Sequence, residues 1–256
     1  MKVFSVIGFT KSGKTTTIEA IIKELKRRNY SVGTVKDIHY KEFTIDSEGK
    51  NTYRHKEAGA ELVTARGLYE TDILYQYKMD IHDILRHYDH DYVILEGVEE
   101  INAPKIIAAK DIDGIEKKLD ETVCLISGRI STEMSAYKGI EVINGVEDTE
   151  KIVDFIEKNV FELLPNFEPD CCRMCGYDCE TLCKMIIKGE KTRNDCIFSS
   201  EKIQLFIDNK EIQMVPFVQK ILINAITGVV SELNGYKKDH NIKIEINNNQ
   251  KNLFSK

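Results

Sequence analysis

Several features are missing from this 256-residue sequence, and each absence argues against a class of protein. The chain has no tryptophan and four prolines, so a long proline-rich linker is not expected. Its apolar runs are all shorter than the roughly 18 residues of a membrane helix, so no membrane partner is predicted. The 36 basic residues are outnumbered by 42 acidic ones, for a net charge of −6, which does not suit a nucleic-acid-binding protein.

Cysteine is nearly absent from the first 170 residues, which contain only Cys124. Six of the seven cysteines lie between Cys171 and Cys196. The N-terminal segment Met1–Gly8 resembles a strand rather than a signal peptide, so we expect a cytoplasmic protein, in which disulfide bonds are rare. A local group of cysteines in such a protein predicts a metal or iron–sulfur site.

Short β-branched apolar segments alternate with helical patterns over the first 160 residues. The helical patterns include the apolar stripe of Ile18, Ile21 and Leu25. The predicted buried strands are Val3–Ile7, Ser31–Val35, Tyr92–Leu95, Ile106–Ala109 and Thr122–Ile126. Continuous apolar strands that alternate with helices predict an α/β fold, with a mostly parallel sheet covered by helices.

Two prolines, Pro165 and Pro169, precede the cysteines and mark a predicted domain boundary. We predict a nucleotide-binding domain at 1–164, a cysteine segment at 165–200 and a small α+β extension at 201–250. In the extension, the pattern favours a hairpin around 203–214, a helix over Val218–Val229 and a strand at Ile242–Ile246. The fold class is therefore an α/β domain with a small C-terminal α+β domain that carries a cysteine cluster.

A phosphate-binding loop of the form G-x-x-x-x-G-K-[ST] lies between the first predicted strand and helix. Lys14 is placed to neutralise the β- and γ-phosphates, and the Thr15 hydroxyl is a ligand for Mg²⁺. The alternative is a glycine-rich turn without a ligand. The predicted nucleotide-binding residues are Gly8, Phe9, Thr10, Lys11, Ser12, Gly13, Lys14, Thr15 and Thr16.

Glu96 ends the apolar strand Tyr92–Leu95, and ligands bind at this end of strands in open α/β sheets. We therefore predict that Glu96 is the second Mg²⁺ ligand and that Gly97 leaves space beside it. An ordinary glutamate at a strand end is the alternative.

The residues between these motifs carry a resemblance to a known family. Residues Thr34–His39, Asp46 and Gly49–Ala60, with the P-loop before and Leu95-Glu96-Gly97 after, resemble the molybdopterin-guanine dinucleotide biosynthesis protein B (MobB) family. The similarity runs from residue 1 to about residue 158. The chain departs from the family at Asp37, where histidine is usual, and at Asn51-Thr52, which replaces Asp-Ser.

The resemblance implies a GTP-binding accessory protein of molybdenum or tungsten cofactor biosynthesis. Such a protein is typically a homodimer with weak, Mg²⁺-dependent GTPase activity, and it assists the guanylyltransferase that attaches GMP to molybdopterin. GTP rather than ATP follows from the resemblance, because no Asn-Lys-x-Asp motif for guanine is present. Ser127-Gly128-Arg129 or Asn144 are candidates for a position near the base.

Charged residues after the second strand extend the predicted site. Lys14, Glu96 and Asp37 are the predicted catalytic residues. The predicted anion- or substrate-binding residues are Lys36, His39, Asp46, Lys50, Arg54 and His55. For each of these six, a solvated charged loop or helix face is the alternative.

The cysteine segment resembles the small four-cysteine iron–sulfur domain of anaerobic redox proteins. Four thiolates hold a [4Fe–4S] cluster, and the predicted set is Cys172, Cys175, Cys179 and Cys196, with Cys183 as the alternative to Cys179. A Cys₄ zinc site is less favoured because one C-x-x-C pair is present where zinc modules usually have two. Two further functions stay open: an electron-delivering or metal-centre maturation NTPase, and a nucleotide-gated interaction module without hydrolysis.

Overall fold

The computed structural model describes residues 1–40, 43–165, 175–196 and 216–237, with the shorter stretches 203, 205–207, 210–212, 214 and 242–244. Residues 1–199 and 200–256 make two compact units. The strands are β1 Lys2–Ile7, β2 Val32–Lys36, β3 Leu62–Arg66, β4 Thr71–Tyr75, β5 Tyr92–Glu96, β6 Lys105–Ala108, β7 Val123–Ser127, β8 Ala136–Tyr137, β9 Ile140–Glu141, β10 Leu205–Ile207 and β11 Lys210–Ile212. The helices are α1 Lys14–Arg27, α2 Asn51–Glu57, α3 Ile81–Leu85, α4 Ile112–Glu116, α5 Thr149–Asn159, α6 Cys179–Ile187 and α7 Pro216–Val230.

A five-stranded, all-parallel sheet with the order β2-β5-β1-β6-β7 forms the centre of the first unit. The predicted strands are confirmed, and each boundary moves by at most one residue. The strand order reverses beside β1, which has β5 on one side and β6 on the other. In open parallel sheets this reversal opens a crevice at the carboxyl ends of the strands, where ligands bind.

Successive residues of the central strands are buried on opposite faces of the sheet, which explains their continuous apolar sequences. Phe4 packs with the buried stripes of α1 and α5, whereas Val3 packs with Leu85 of α3 on the other face. Ile115 of α4 covers that second face beside β6 and β7. Helices therefore cover both sides of the sheet, as the sequence predicts.

The described part of the cysteine segment, residues 175–196, packs within the first unit beside the residues that follow α5. Phe161 and Leu164, which follow α5, share one apolar cluster with Leu182 and Cys196. Arg193 donates hydrogen bonds to the backbone oxygens of residues 162 and 163, at 2.9 and 3.1 Å. Lys188, the C-cap of α6, also pairs with Glu121, at 2.6 Å. Apolar packing and charged contacts therefore both attach α6 to this unit.

The sequence patterns did not predict the hairpin of β3 and β4, which is separate from the five-stranded sheet. In the second unit, the predicted hairpin and helix are present as β10–β11 and α7. Of the predicted strand Ile242–Ile246, residues 242–244 are described and are not in a strand. No helix within the described part of the chain has the length and apolar character that a bilayer crossing needs.

Candidate nucleotide-binding site

The loop between β1 and α1 has a backbone that glycine makes possible. Gly8 has a φ of 143°, and a Cβ atom there would lie 2.1 Å from the carbonyl oxygen of Ala108. Gly13 caps α1 with a φ of 101°, and Lys11 between them also has a positive φ of 63°. The first turn of α1 contains no acidic residue. The free N–H groups and the helix dipole at this end of α1 suit an anion such as a phosphate.

Lys14 folds back over this loop. Its ammonium donates hydrogen bonds to the carbonyl oxygens of Gly8 and Phe9, at 2.6 and 2.7 Å. Burial lowers the pKa of the Lys14 ammonium, the charge of Glu96 partly opposes the shift, and the positive charges of Lys36 and Lys118 add to it. The Lys14 charge is therefore already at the mouth of the loop, where a phosphate group would bind.

Glu96 connects the P-loop to the second strand. The Thr15 hydroxyl donates to Glu96 Oε1 at 3.2 Å, and Lys36 Nζ lies 2.5 Å from the same oxygen. The register explains this meeting, because Glu96 stands beside Val6 of β1 and beside Lys36 of β2. A hydroxyl and a carboxylate are the hard oxygen ligands that Mg²⁺ prefers, so Thr15 and Glu96 fit that ion.

Asp37 and His39 lie next to this group. The Asp37 N–H donates to the carbonyl oxygen of Glu96 at 2.9 Å, which continues the pairing of β2 and β5 by one residue. His39 Nδ1 is 3.9 Å from Asp37 Oδ2, and the His39 side chain is exposed. The structure therefore brings Lys36, Asp37 and Glu96 to one edge of the sheet.

The remaining predicted anion-binding residues belong to α2 and the loop before it. Asp46 Oδ1 accepts hydrogen bonds from the Ser47 N–H at 3.0 Å and from the Thr52 hydroxyl at 2.9 Å, so Asp46 fastens this loop to α2. Lys50 is the N-cap of α2, and Arg54 and His55 are exposed on the same helix. Within the described residues, no hydrogen bond or ion pair connects these residues to the P-loop, and their role stays a prediction.

The loop after β7 packs against the P-loop. The Arg129 N–H donates to the Ser12 carbonyl oxygen at 3.1 Å, and Gly128 Cα would lie 3.3 Å from a Cβ on Gly13. Asn144 Oδ1 instead accepts from the N–H groups of residues 146 and 147. The loop Ser127–Arg129 therefore contacts the P-loop directly. The side-chain oxygen of Asn144 instead accepts hydrogen bonds within its own turn.

Lys118 is a charged neighbour of the site that sequence reasoning did not select. It follows α4, and its ammonium lies 5.1 Å from the centre of the Phe9 ring in the P-loop. The ammonium also pairs with Glu99, three residues after Glu96. Nothing in the sequence around Lys117-Lys118 distinguishes Lys118 from an ordinary surface lysine.

Four cysteines share the apolar cluster at the end of the first unit. Cys183 and Cys196 are buried there, and Cys175 and Cys179 are half-buried beside them. Burial raises the pKa of the Cys183 thiol to about 12. Cys172, the first predicted ligand, lies outside the described residues. Within the described part of the chain, no three His, Cys, Asp or Glu side chains are placed to hold a metal ion.

Sequence comparisons agree with the resemblance noted from the motifs. The profile of the family described as "Molybdopterin guanine dinucleotide synthesis protein B" (MobB) matches residues 3–127. A Methanocaldococcus jannaschii protein named as a molybdopterin-guanine dinucleotide biosynthesis adapter protein is 33% identical over 256 residues, covering 96% of this chain and 97% of that protein. A Bacillus subtilis protein named in the same way is 27% identical over 158 residues, covering 60% of this chain and 90% of that protein.

A structural comparison agrees on the fold. The crystal structure of Bacillus subtilis MobB superposes with a TM-score of 0.54 and 23% identity, covering 63% of this chain and 99% of that chain. At this identity the likeness supports the fold alone. The Methanocaldococcus jannaschii protein matches over nearly the whole length, so the similarity to that relative extends into the cysteine segment.

Proposed function

Since the chain belongs to the MobB family and so takes part in molybdenum cofactor biosynthesis, we propose that it is a GTP-binding accessory protein that assists the attachment of GMP to molybdopterin. The observation that carries the proposal is the meeting of Thr15 and Glu96 beside the P-loop. There a phosphate-binding loop and two oxygen ligands for Mg²⁺ lie at the carboxyl edge of one sheet. Molybdopterin, or the enzyme that guanylates it, is the proposed partner.

The first experiment measures Mg²⁺–GTP binding by calorimetry for the unmodified chain and for Lys14→Ala. The variant loses the ammonium at the mouth of the loop, so we expect the affinity for GTP to fall at least about tenfold while the fold survives. Lys23→Ala, an exposed lysine of the same helix, is the control. Unchanged GTP affinity in a folded Lys14→Ala variant would contradict the proposal. Parallel titrations with ATP test whether the site prefers guanine to adenine.

We propose that hydrolysis is slow in the absence of a partner. Arg27 and Arg28, the nearest arginines in sequence, lie at the far end of α1 and bind Glu24 at 2.7 and 2.8 Å. They are therefore turned toward carboxylates rather than toward the phosphates. An arginine supplied by a partner raises the rate of phosphoryl transfer by about 10³–10⁵ in other systems. Many turnovers per second by the isolated chain would contradict slow hydrolysis.

A [4Fe–4S] cluster on Cys172, Cys175, Cys179 and Cys196 is the second part of the proposal. The cysteine pattern of the sequence carries this part, and Cys175, Cys179 and Cys196 belong to one apolar cluster, a setting of low solvent exposure that would help to set the potential of an iron–sulfur cluster. In the described residues the thiols are not placed as a metal-binding group, so binding would require them to move closer together. Cys183 remains the alternative to Cys179. If hydrolysis and the cluster are coupled, the chain is an electron-delivering NTPase, and turnover measured with and without iron separates this function from the first.

Anaerobic purification tests the cluster. We expect brown protein with about four irons and four sulfides per chain, which Cys196→Ser loses. Cys171→Ser, at a cysteine outside the predicted set of ligands, is the control and is expected to keep the iron. A colourless preparation with one zinc per chain would decide for a zinc site instead.

A further inference from the structure

The side chain of Lys118 is held over the P-loop instead of extending into solvent. It is 20% exposed, and its ammonium pairs with Glu99 while lying 5.1 Å from the centre of the Phe9 ring. Phe9 is the second residue of the P-loop. The neighbouring Lys117 points elsewhere, since its ammonium pairs with Asp113 at 2.5 Å and its side chain is 59% exposed. The position of Lys118 is therefore particular to that residue.

Three ammonium groups contact the P-loop or the neighbouring Glu96. Lys14 lies on the loop carbonyls, Lys36 lies on Glu96, and the charge of Lys118 is close enough to affect Lys14. Glu96 pairs with Lys36, and Mg²⁺ would compete with Lys36 for this carboxylate. Glu99 pairs with Lys118 and with no other cation among the described contacts. A triphosphate is the ligand whose charge matches such a group of cations, because Mg²⁺ neutralises only part of it.

We propose that Lys118 binds the terminal phosphate of the nucleotide, after its ammonium leaves Glu99. This inference rests on the proposed function, because it adds a phosphate contact to the same site. The flexible four-carbon stem of lysine allows the movement without a change in the backbone. Lys118 then adds positive charge beside the phosphoryl group that is transferred, where charge is redistributed in the transition state.

The experiment compares GTP and GDP affinities, with Mg²⁺, for the unmodified chain and Lys118→Gln. We expect the variant to lose about tenfold to a hundredfold in affinity for GTP, the range for a hydrogen bond to a charged group, and to change little for GDP. Lys117→Gln is the matched control, because it removes the same charge from the adjacent position. An equal loss for GTP and GDP, or no loss, overturns the inference.

Glu99→Gln separates direct binding from a structural role. If Lys118 binds phosphate, releasing it from Glu99 leaves GTP affinity unchanged or improves it. If Lys118 only ties the P-loop to the segment after β5, Glu99→Gln weakens GTP binding as much as Lys118→Gln, and the inference is wrong. Failure of the unmodified chain to bind either nucleotide overturns the proposed function as well, whereas GTP binding that is insensitive to Lys118→Gln overturns the inference alone.

Discussion

Gly8 stands where no side chain fits. A Cβ would lie 2.1 Å from the carbonyl oxygen of Ala108, which is backbone of the adjacent strand, and the φ of 143° is unfavourable for other residues. We predict that Gly8→Ala displaces the P-loop, abolishes nucleotide binding and lowers the free energy of unfolding by about 2 kcal/mol or more. Calorimetry and urea unfolding measure the two effects.

Gly228→Ala is the control for this substitution. Gly228 lies in α7, where a Cβ would meet nothing within 4 Å. Alanine favours a helix over glycine by about 0.5–1 kcal/mol, so the control is expected to stabilise slightly. A Gly8→Ala variant that binds GTP normally would show that the loop can adopt another backbone path.

The sequence supports some site residues better than others. Thr15 and Glu96 could be predicted to meet, because both follow parallel strands whose carboxyl ends share one edge. Lys118 could not be predicted, because its position depends on how the end of α4 approaches Phe9 in three dimensions. Local sequence patterns identify site residues at strand ends. They do not identify a site residue that a helix elsewhere in the sequence brings near the loop.

At the scale of elements, the buried carboxylate of Glu24 holds Arg28, which connects the end of α1 to α5. Glu24 accepts hydrogen bonds from Arg27 and Arg28, and Arg28 also binds Asp154 and Glu157 of α5 at 2.7 and 2.8 Å. Hydrogen bonds from Arg27 and then from Arg28 lower the pKa of Glu24 from about 4.5 to about 2. Because the folded-state pKa is depressed, this contribution to stability is complete above about pH 4.5 and is lost as the pH falls toward 2.

We therefore predict that Glu24→Gln destabilises the chain at neutral pH and weakens the pH dependence of unfolding between about pH 4.5 and pH 2. Urea unfolding at a series of pH values measures both. Glu19→Gln, an exposed glutamate of the same helix, controls for the loss of one negative charge. Parallel stability curves for the unmodified chain and Glu24→Gln through this range would contradict the prediction.

The five central strands were predictable, but β3 and β4 were not. A strand buried on both faces is mostly apolar, as β5 is, and β1 is apolar apart from Lys2 and Ser5. The residues of β4 are largely exposed, so their sequence mixes apolar and polar side chains without a buried face to impose a period of two. The strand order was also beyond the sequence, because the pattern of elements fixes parallel pairing without choosing the neighbours.

At the scale of the whole molecule, the sequence predicts a boundary before the cysteine segment, whereas side chains on the two sides of that boundary pack together. Pro165 signals a break in regular structure. Leu164, just before it, nevertheless packs with Leu182 and Cys196 of the cysteine segment. A proline restricts the backbone locally. It does not determine whether side chains before and after it pack together. The described residues of the cysteine segment therefore pack within the first unit.

We propose that the chain forms a homodimer through the β3–β4 hairpin. Two-stranded hairpins are marginally stable alone in water, and this one exposes Leu62, Leu68, Tyr69 and Ile73. In this proposed dimer, a second copy would cover these apolar residues and pair with the open edges of the two strands. We predict that Ile73→Glu, at a side chain that is 55% exposed, converts dimer to monomer in light scattering.

The control is Val146→Glu, because Val146 is also 55% exposed but lies outside the hairpin, and this variant is expected to keep the dimer. A dimer that survives Ile73→Glu would exclude this surface, and an unmodified chain that is monomeric would contradict the dimer itself.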